Sequence, residues 1–221
     1  MKEHTCVLVL VLLLIIMISA SVTHAALETP EGLSPGDQFH WAFITKGEHQ
    51  AHYNDIANYN GFVDMEAERD GARTEDLGIN WYAVASTETV NAKDNVNISG
   101  PVYRVDGVKI ADSAYDFWNE SLLDNLNKDQ WGEGRNHYVW TGSTTGGVKV
   151  ENYHLGSTNP IRGLQPRSNS QWINCDTYGN TSYFPMYAIS EVQTVVPIPA
   201  AAWLLGSGII GLVVVRRRFT R

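Results

Sequence analysis

Sixteen residues without a charge, Ala200 to Val215, run directly into Arg216-Arg217-Arg218, and Val196-Pro197-Ile198-Pro199 leads into them. As a helix this run is about 24 Å long, short of a hydrocarbon core of ~30 Å. The flanking prolines and the snorkelling stems of the three arginines extend it. Arginine is retained on the cytoplasmic side of a membrane. The run therefore reads as a transmembrane helix over 200–215, with everything before Val196 outside the cytoplasm. A buried C-terminal helix is the bland alternative, but a core helix has no use for a terminal basic block.

The other end carries a matching signal. Lys2 is followed by Cys6 to Ile18, thirteen residues without a charge, and then by the small residues of Thr23-His24-Ala25-Ala26. This predicts a secretory signal peptide over 1–25, cleaved after Ala25 or Ala26; an uncleaved N-terminal anchor is the alternative. Cys6 opens the apolar run, whereas a lipoprotein box puts its cysteine after the run. Residues 26–38, with Pro30, Gly32, Pro35 and Gly36, predict a loose linker. Residues 39–195 are left for one domain of ordinary size.

Between Leu27 and Val196 there are 23 acidic and 11 basic side chains, a net charge of −12. Such a surface repels nucleic acid and gains nothing from its counterions. Cys175 is the one cysteine in that span, so no disulfide can form within it despite the oxidising route. A buried inert thiol is one reading of Cys175 and an intermolecular bridge the other.

Along the chain, Phe39 to Thr45 reads as a strand with Phe39, Trp41 and Phe43 on one face and His40 on the other. Lys46 to Asn60 reads as a polar loop. A helix is predicted over Phe62 to Asp76, with Phe62, Met65 and Ala72 inward and Glu66, Glu68, Arg69 and Arg73 wet. Trp81 to Ser86 is a second strand. Asp106-Gly107 between β-type segments is a strong hairpin signal. Ala114 to Leu126 reads as a helical stripe or a pair of short turns. His137 to Thr141 is a strand, Leu155 to Ser170 a long polar loop, and Tyr183 to Val196 starts as a last, bent strand.

Each pattern with chemical content has a plainer alternative. Glu48-His49-Gln50-Ala51-His52 sets its histidines three apart with Glu outside them, unlike the zinc-protease spacing. Gly142 to Gly147 lacks the P-loop spacing, and Lys149 comes too late for it. No Gly-x-Ser-x-Gly elbow selects a triad. Asp116 and Glu120 lie four apart on a possible helix, while glycosidase carboxylates face each other across a cleft. No catalytic residue, cofactor site or metal site is nominated, and none is expected.

The tail resembles the PEP-CTERM class of bacterial C-terminal sorting signals. Val196-Pro197-Ile198-Pro199-Ala200 is closest to the Val-Pro-Leu-Pro-Ala variant, with Ile198 in place of Leu. The Trp-containing apolar stretch and Arg216, Arg217 and Arg218 follow in the family's order. The resemblance implies processing by an exosortase-type membrane enzyme after the export machinery has acted. It also implies a transient inner-membrane anchor and a final location at the cell surface or outside the cell.

A second resemblance lies in the middle. Trp81-Tyr82-Ala83-Val84-Ala85-Ser86, Ala92 to Ile98, Gly100 to Gly107 and Ile110-Ala111 look like an uncharacterised bacterial extracellular family of C-type-lectin-like and endostatin-like fold. Leu122 to Asn125, Val139 to Gly142, Trp172, Cys175 and Tyr187-Ala188-Ile189 continue it. The family usually pairs its cysteines, but Ala188 stands where a partner is expected. The Glu-Pro-Asn, Gln-Pro-Asp and Trp-Asn-Asp motifs of calcium-dependent sugar sites are absent. Asn174 and Asp176 only echo the last as oxygen donors, and Trp140 and Trp172 are either sugar platforms or core.

Taken together, these features predict an α+β chain: a single C-type-lectin-like domain with a mostly antiparallel twisted sheet, between a signal peptide and a C-terminal transmembrane helix. The expected role is a non-enzymatic, surface-sorted adhesion or matrix component with a surface polysaccharide as partner. A hydrolase acting on extracellular polysaccharide is the alternative.

Overall fold

The computed structural model describes residues 27–196. The expected signal peptide, the membrane stretch 200–215, and Pro197, Ile198, Pro199, Ala200, Arg216, Arg217 and Arg218 lie outside the described residues. Val196 is described and is exposed. Among the described residues no helix is long and apolar enough to cross a membrane.

Strand β1 (Gln38–Ile44) is the axis of the fold. Its aromatic positions alternate, so both faces are apolar, as a strand covered on both sides requires. Phe39, Trp41 and Phe43 enter one core, and Ala42 and Ile44 enter the other. Around β1 lie β2 (Trp81–Ala83), β3 (Val102–Arg104), β4 (Lys109–Ala111), β8 (Tyr187–Ser190) and β9 (Gln193–Thr194). The order is β2-β8-β1-β3-β4, with β9 also on β1. Only the β1–β3 pairing is parallel. A smaller antiparallel sheet joins β5 (Tyr138–Trp140), β6 (Ile161–Leu164) and β7 (Asp176–Thr177). The described residues thus form a mixed, sheet-dominated fold with few helices and mostly antiparallel pairing.

Asp106-Gly107 makes the expected hairpin between β3 and β4, and Gly107 takes φ +87°. Only glycine adopts that region without strain. A register shift between Val102 and Tyr103 bends the ribbon.

Helix α1 spans Ile56–Ala67, not 62–76. Asp55 starts it by accepting the Ala57 N–H at 2.9 Å, so the last third of the expected polar loop is helical. Gly71 at φ +75° lies in the turn beyond it. The shift also turns the faces. Met65 is exposed, and Glu66, expected wet, is fully buried. Its carboxylate accepts from Gly47 N–H at 2.7 Å, Gln130 Nε2 at 3.0 Å and Arg69 Nε at 2.7 Å. A buried charge persists only with partners of this kind. Tyr59, Phe62, Val63 and Ala67 close the first core against β1 and β2.

Helices α2 (Ala92–Val96) and α3 (Ala114–Phe117) are one turn each. The stretch Ala114 to Leu126 therefore resolves into turns, whose Phe117, Leu122 and Leu126 fill the second core with Trp172. Strand β6 lies inside the expected polar loop 155–170, a correction whose cause is the setting of Arg162 described below.

Candidate functional site

The pairing of β1 sorts the molecule into two ends. At the first, Gln38 pairs with Thr194, and Val195 bonds to Gly36 and Asp37. The chain therefore comes into the domain and leaves it side by side. At the second, Ile44 pairs with Tyr187. β1 spans about 20 Å between these ends.

Three segments meet at the second end: 48–54 beyond β1, 178–184 before β8, and 151–159. Their backbones are laced together. Ala51 N–H donates to Asn180 O at 2.8 Å, Gly156 N–H to Ala51 O at 2.8 Å, and Asn180 N–H to Thr158 O at 3.1 Å. Side chains add Gln50 Nε2 to Thr181 O at 2.7 Å and Asn180 Nδ2 to Ser157 O at 2.9 Å. Gly156 has φ +93°, and a Cβ there would meet Asn54. Only glycine lets these loops approach so closely.

The tyrosines concentrate here. Tyr53, Tyr153, Tyr178 and Tyr183 are 38–59% exposed, and Tyr115 is the one other exposed tyrosine among the described residues. Beneath Tyr178 the Arg162 guanidinium lies 3.6 Å from the Tyr138 ring, 4.3 Å from Tyr178 and 4.8 Å from Phe184. Asp176 accepts from its Nε at 2.6 Å and Nη2 at 3.0 Å. A planar, bidentate cation stacked on rings holds a surface rigidly. This packing also explains why Ile161–Leu164 is a strand despite its polar surroundings.

Beside the tyrosines lies a recess of about 450 Å³, walled by Asn54, Glu88, Asn152, Tyr153, Thr158 and Asn159 among others. A larger recess, about 570 Å³, lies against the β3–β4 hairpin, lined by Glu28, Glu31, Trp41, Arg73, Tyr103 and Lys109 among others.

The residues considered from sequence are distributed differently. Asp176 is committed to Arg162, and Asn174 is exposed nearby. Among the described residues no group of three His, Cys, Asp or Glu could hold a metal ion. Trp140 and Trp172 are wholly buried and belong to the cores. His49 is half-buried, stacking near Phe62 at 4.7 Å while its Nδ1 donates to Gln50 O at 2.7 Å. Burial lowers its pKa, against the pull of that hydrogen bond. His52 stacks on Tyr53 at 4.0 Å. Lys149 Nζ bonds to Glu88 O at 2.7 Å, while the Lys149 backbone bridges to Ser143 of the 142–147 turn. Glu120 lies beyond the short α3 with φ +86°, so it shares no helix face with Asp116.

Cys175 is free and half-buried, not fully buried, and burial with the neighbouring Asp176 carboxylate pushes its thiol pKa up. His40 is buried, with Nδ1 donating to Ser190 O at 2.8 Å and Nε2 accepting from Ser99 N–H at 3.1 Å. Its acceptor nitrogen is thus occupied by a backbone amide, and Ser99 Oγ stands off at 3.4 Å.

Sequence reasoning missed the recess at the second end because Asn54, Glu88 and 152–159, distant in sequence, build it. The run Asn152-Tyr153 and Thr158-Asn159 was its only local trace. No protein-family model matches the chain. No curated protein matches it.

Proposed function

We propose that this chain is an exported, surface-sorted adhesion or matrix component, built as a single lectin-like domain on a removable tail. One observation carries the reading: the two ends of the described chain leave β1 at one end, and the exposed tyrosines gather at the other. A domain tethered through Val196 would then present Tyr53, Tyr153, Tyr178 and Tyr183 outward. Tyrosine offers large, rigid contact area at a polar surface. The pairing of the first strand with the last two, around a long intervening excursion, supports the lectin-like reading of the fold. Glu88 is the one carboxylate among the recess residues, whereas glycoside hydrolysis uses two.

The tail supplies the sorting half. Pro197 and Pro199 keep the segment outside the membrane extended, a form that a protease-like exosortase can grip. Mass spectrometry of the released protein tests this. The expected species begins near Ala26 or Leu27 and ends close to Pro199. A chain that stays membrane-bound with Arg216 to Arg218 intact, in cells that hold a sorting enzyme, would overturn the removable tail. Cells lacking the protein are expected to lose cohesion or matrix retention; unchanged cohesion would overturn the adhesive role.

A further inference from the structure

We infer that β9 is a clasp that sets the rate of tail processing: the sorting motif becomes accessible to its enzyme only when β9 peels from β1. The inference rests on the sorting reading above and adds its regulation. Its first ground is reach. Val195 is the last of the described residues bonded to the sheet, its N–H donating to Asp37 O and its carbonyl accepting from Gly36 N–H, both at 2.9 Å. The apolar span begins at Ala200, so residues 196–199 alone separate the sheet from the membrane. Four extended residues reach about 14 Å. The headgroup layer takes about 5–8 Å of that, and a single enzyme helix is ~10 Å across. A folded base therefore leaves no room for an enzyme to close around Val196-Pro197-Ile198-Pro199.

The second ground is how lightly β9 is held. Every residue of β8 is buried, whereas in β9 Gln193 is half-buried and Thr194 exposed. Val195 packs on the first core only in part, and Val196 is 78% exposed. β9 pairs with β1 alone, through Gln38–Thr194 and Phe39–Gln193. A short strand with little buried surface opens at a fraction of the cost of global unfolding.

Peeling stops where the packing resumes. Glu191 N–H donates to Asn80 O at 2.8 Å, and Ser190 is fully buried. Opening β9 up to that point frees residues 192–199, which reach about 28 Å when extended. Twice the reach admits an enzyme cleft while β8 and both cores stay intact. A bond cut only in the open form is cut in proportion to the open population. Processing then follows the β9–β1 pairing and not the sequence of the tail alone.

The test follows release of the full-length chain by pulse-chase in cells that hold the sorting enzyme, in a Cys175→Ser background. Gln38 and Thr194 stand directly opposite each other, and opposed antiparallel Cα atoms, about 4.5–5.5 Å apart, suit a disulfide. Gln38→Cys with Thr194→Cys should form that bond in the oxidising exterior. Chains that carry it on a non-reducing gel should be released at least tenfold more slowly, while either cysteine alone leaves release unchanged. Gly36 has φ +93° and open space around it. Gly36→Val therefore strains the clasp without touching the motif and should speed release at least twofold. An insert of about eight Gly and Ser residues between Val195 and Val196 should return the cross-linked chain to the unlinked rate, which also shows it folded and competent as a substrate. Release of the cross-linked chain at the unlinked rate, no gain in Gly36→Val, or no rescue by the insert would each overturn the clasp and leave the sorting reading standing. A wild-type chain that is never released would sink both.

Discussion

His40 shows how one buried residue ties stability to pH. Burial holds its pKa below the ordinary value, and the hydrogen bond to the Ser190 carbonyl only partly offsets this. The folded chain keeps the ring neutral, with Nε2 needed as an acceptor for Ser99 N–H. The unfolded chain takes up its proton near pH ~6.5. Below that pH the unfolded state binds more protons, so stability falls as pH drops from about 6.5 toward the folded value and is level above it. Urea midpoints at pH 5.5 and 7.5 should therefore differ, with the lower stability at the lower pH. His40→Gln should shrink the difference, while His49, also lowered, keeps part of it. An undiminished difference in the variant would refute this assignment. The neighbouring lesson comes from Glu66 and Arg162, charged residues buried against expectation. Each is legible only with its partners, and apart from Arg69 those partners, Gly47, Gln130 and the Tyr138–Tyr178–Phe184 rings, are distant in sequence.

At the scale of elements, α1 depends on its first residue. Asp55 is exposed and caps the helix through Ala57 N–H. Asp55→Ala should cost about 1 kcal/mol, and Asp55→Asn much less, because asparagine caps as well. Chemical denaturation would measure both; equal losses would mean that the charge, not the cap, matters. This helix also marks where sequence reading succeeds and fails. β1, β2 and the Asp106-Gly107 hairpin were legible because their alternation and turn chemistry are local. The start of α1 was displaced because the apolar period from Phe62 outweighed a single cap residue. β6 was invisible because Ile161-Arg162-Gly163-Leu164 has no strand pattern of its own and is held by what packs on it. The recess at the second end is harder still. Its walls meet through bonds such as Gly156 to Ala51 and Leu155 to Ser86, between segments that nothing in their own composition brings together.

For the whole molecule, the paired ends have a mechanical consequence. A tethered domain that holds something at its far end is pulled, and the direction of the pull matters. Tension between Val196 and the Tyr153 loop runs along β8 and drags it lengthwise against β1 and β2. The cross-strand hydrogen bonds stand perpendicular to the strands, so that load falls on many of them at once. Tension between Leu27 and Val196 instead opens β9 from β1 at their shared end, one bonded pair after another. Single-molecule stretching through attachment points at 153 and 196 should accordingly give a higher rupture force than attachment at 27 and 196. The reverse order would show that the sheet does not carry the load. The same topology that lets the domain unzip from its base makes it resist a load applied between its base and its far end.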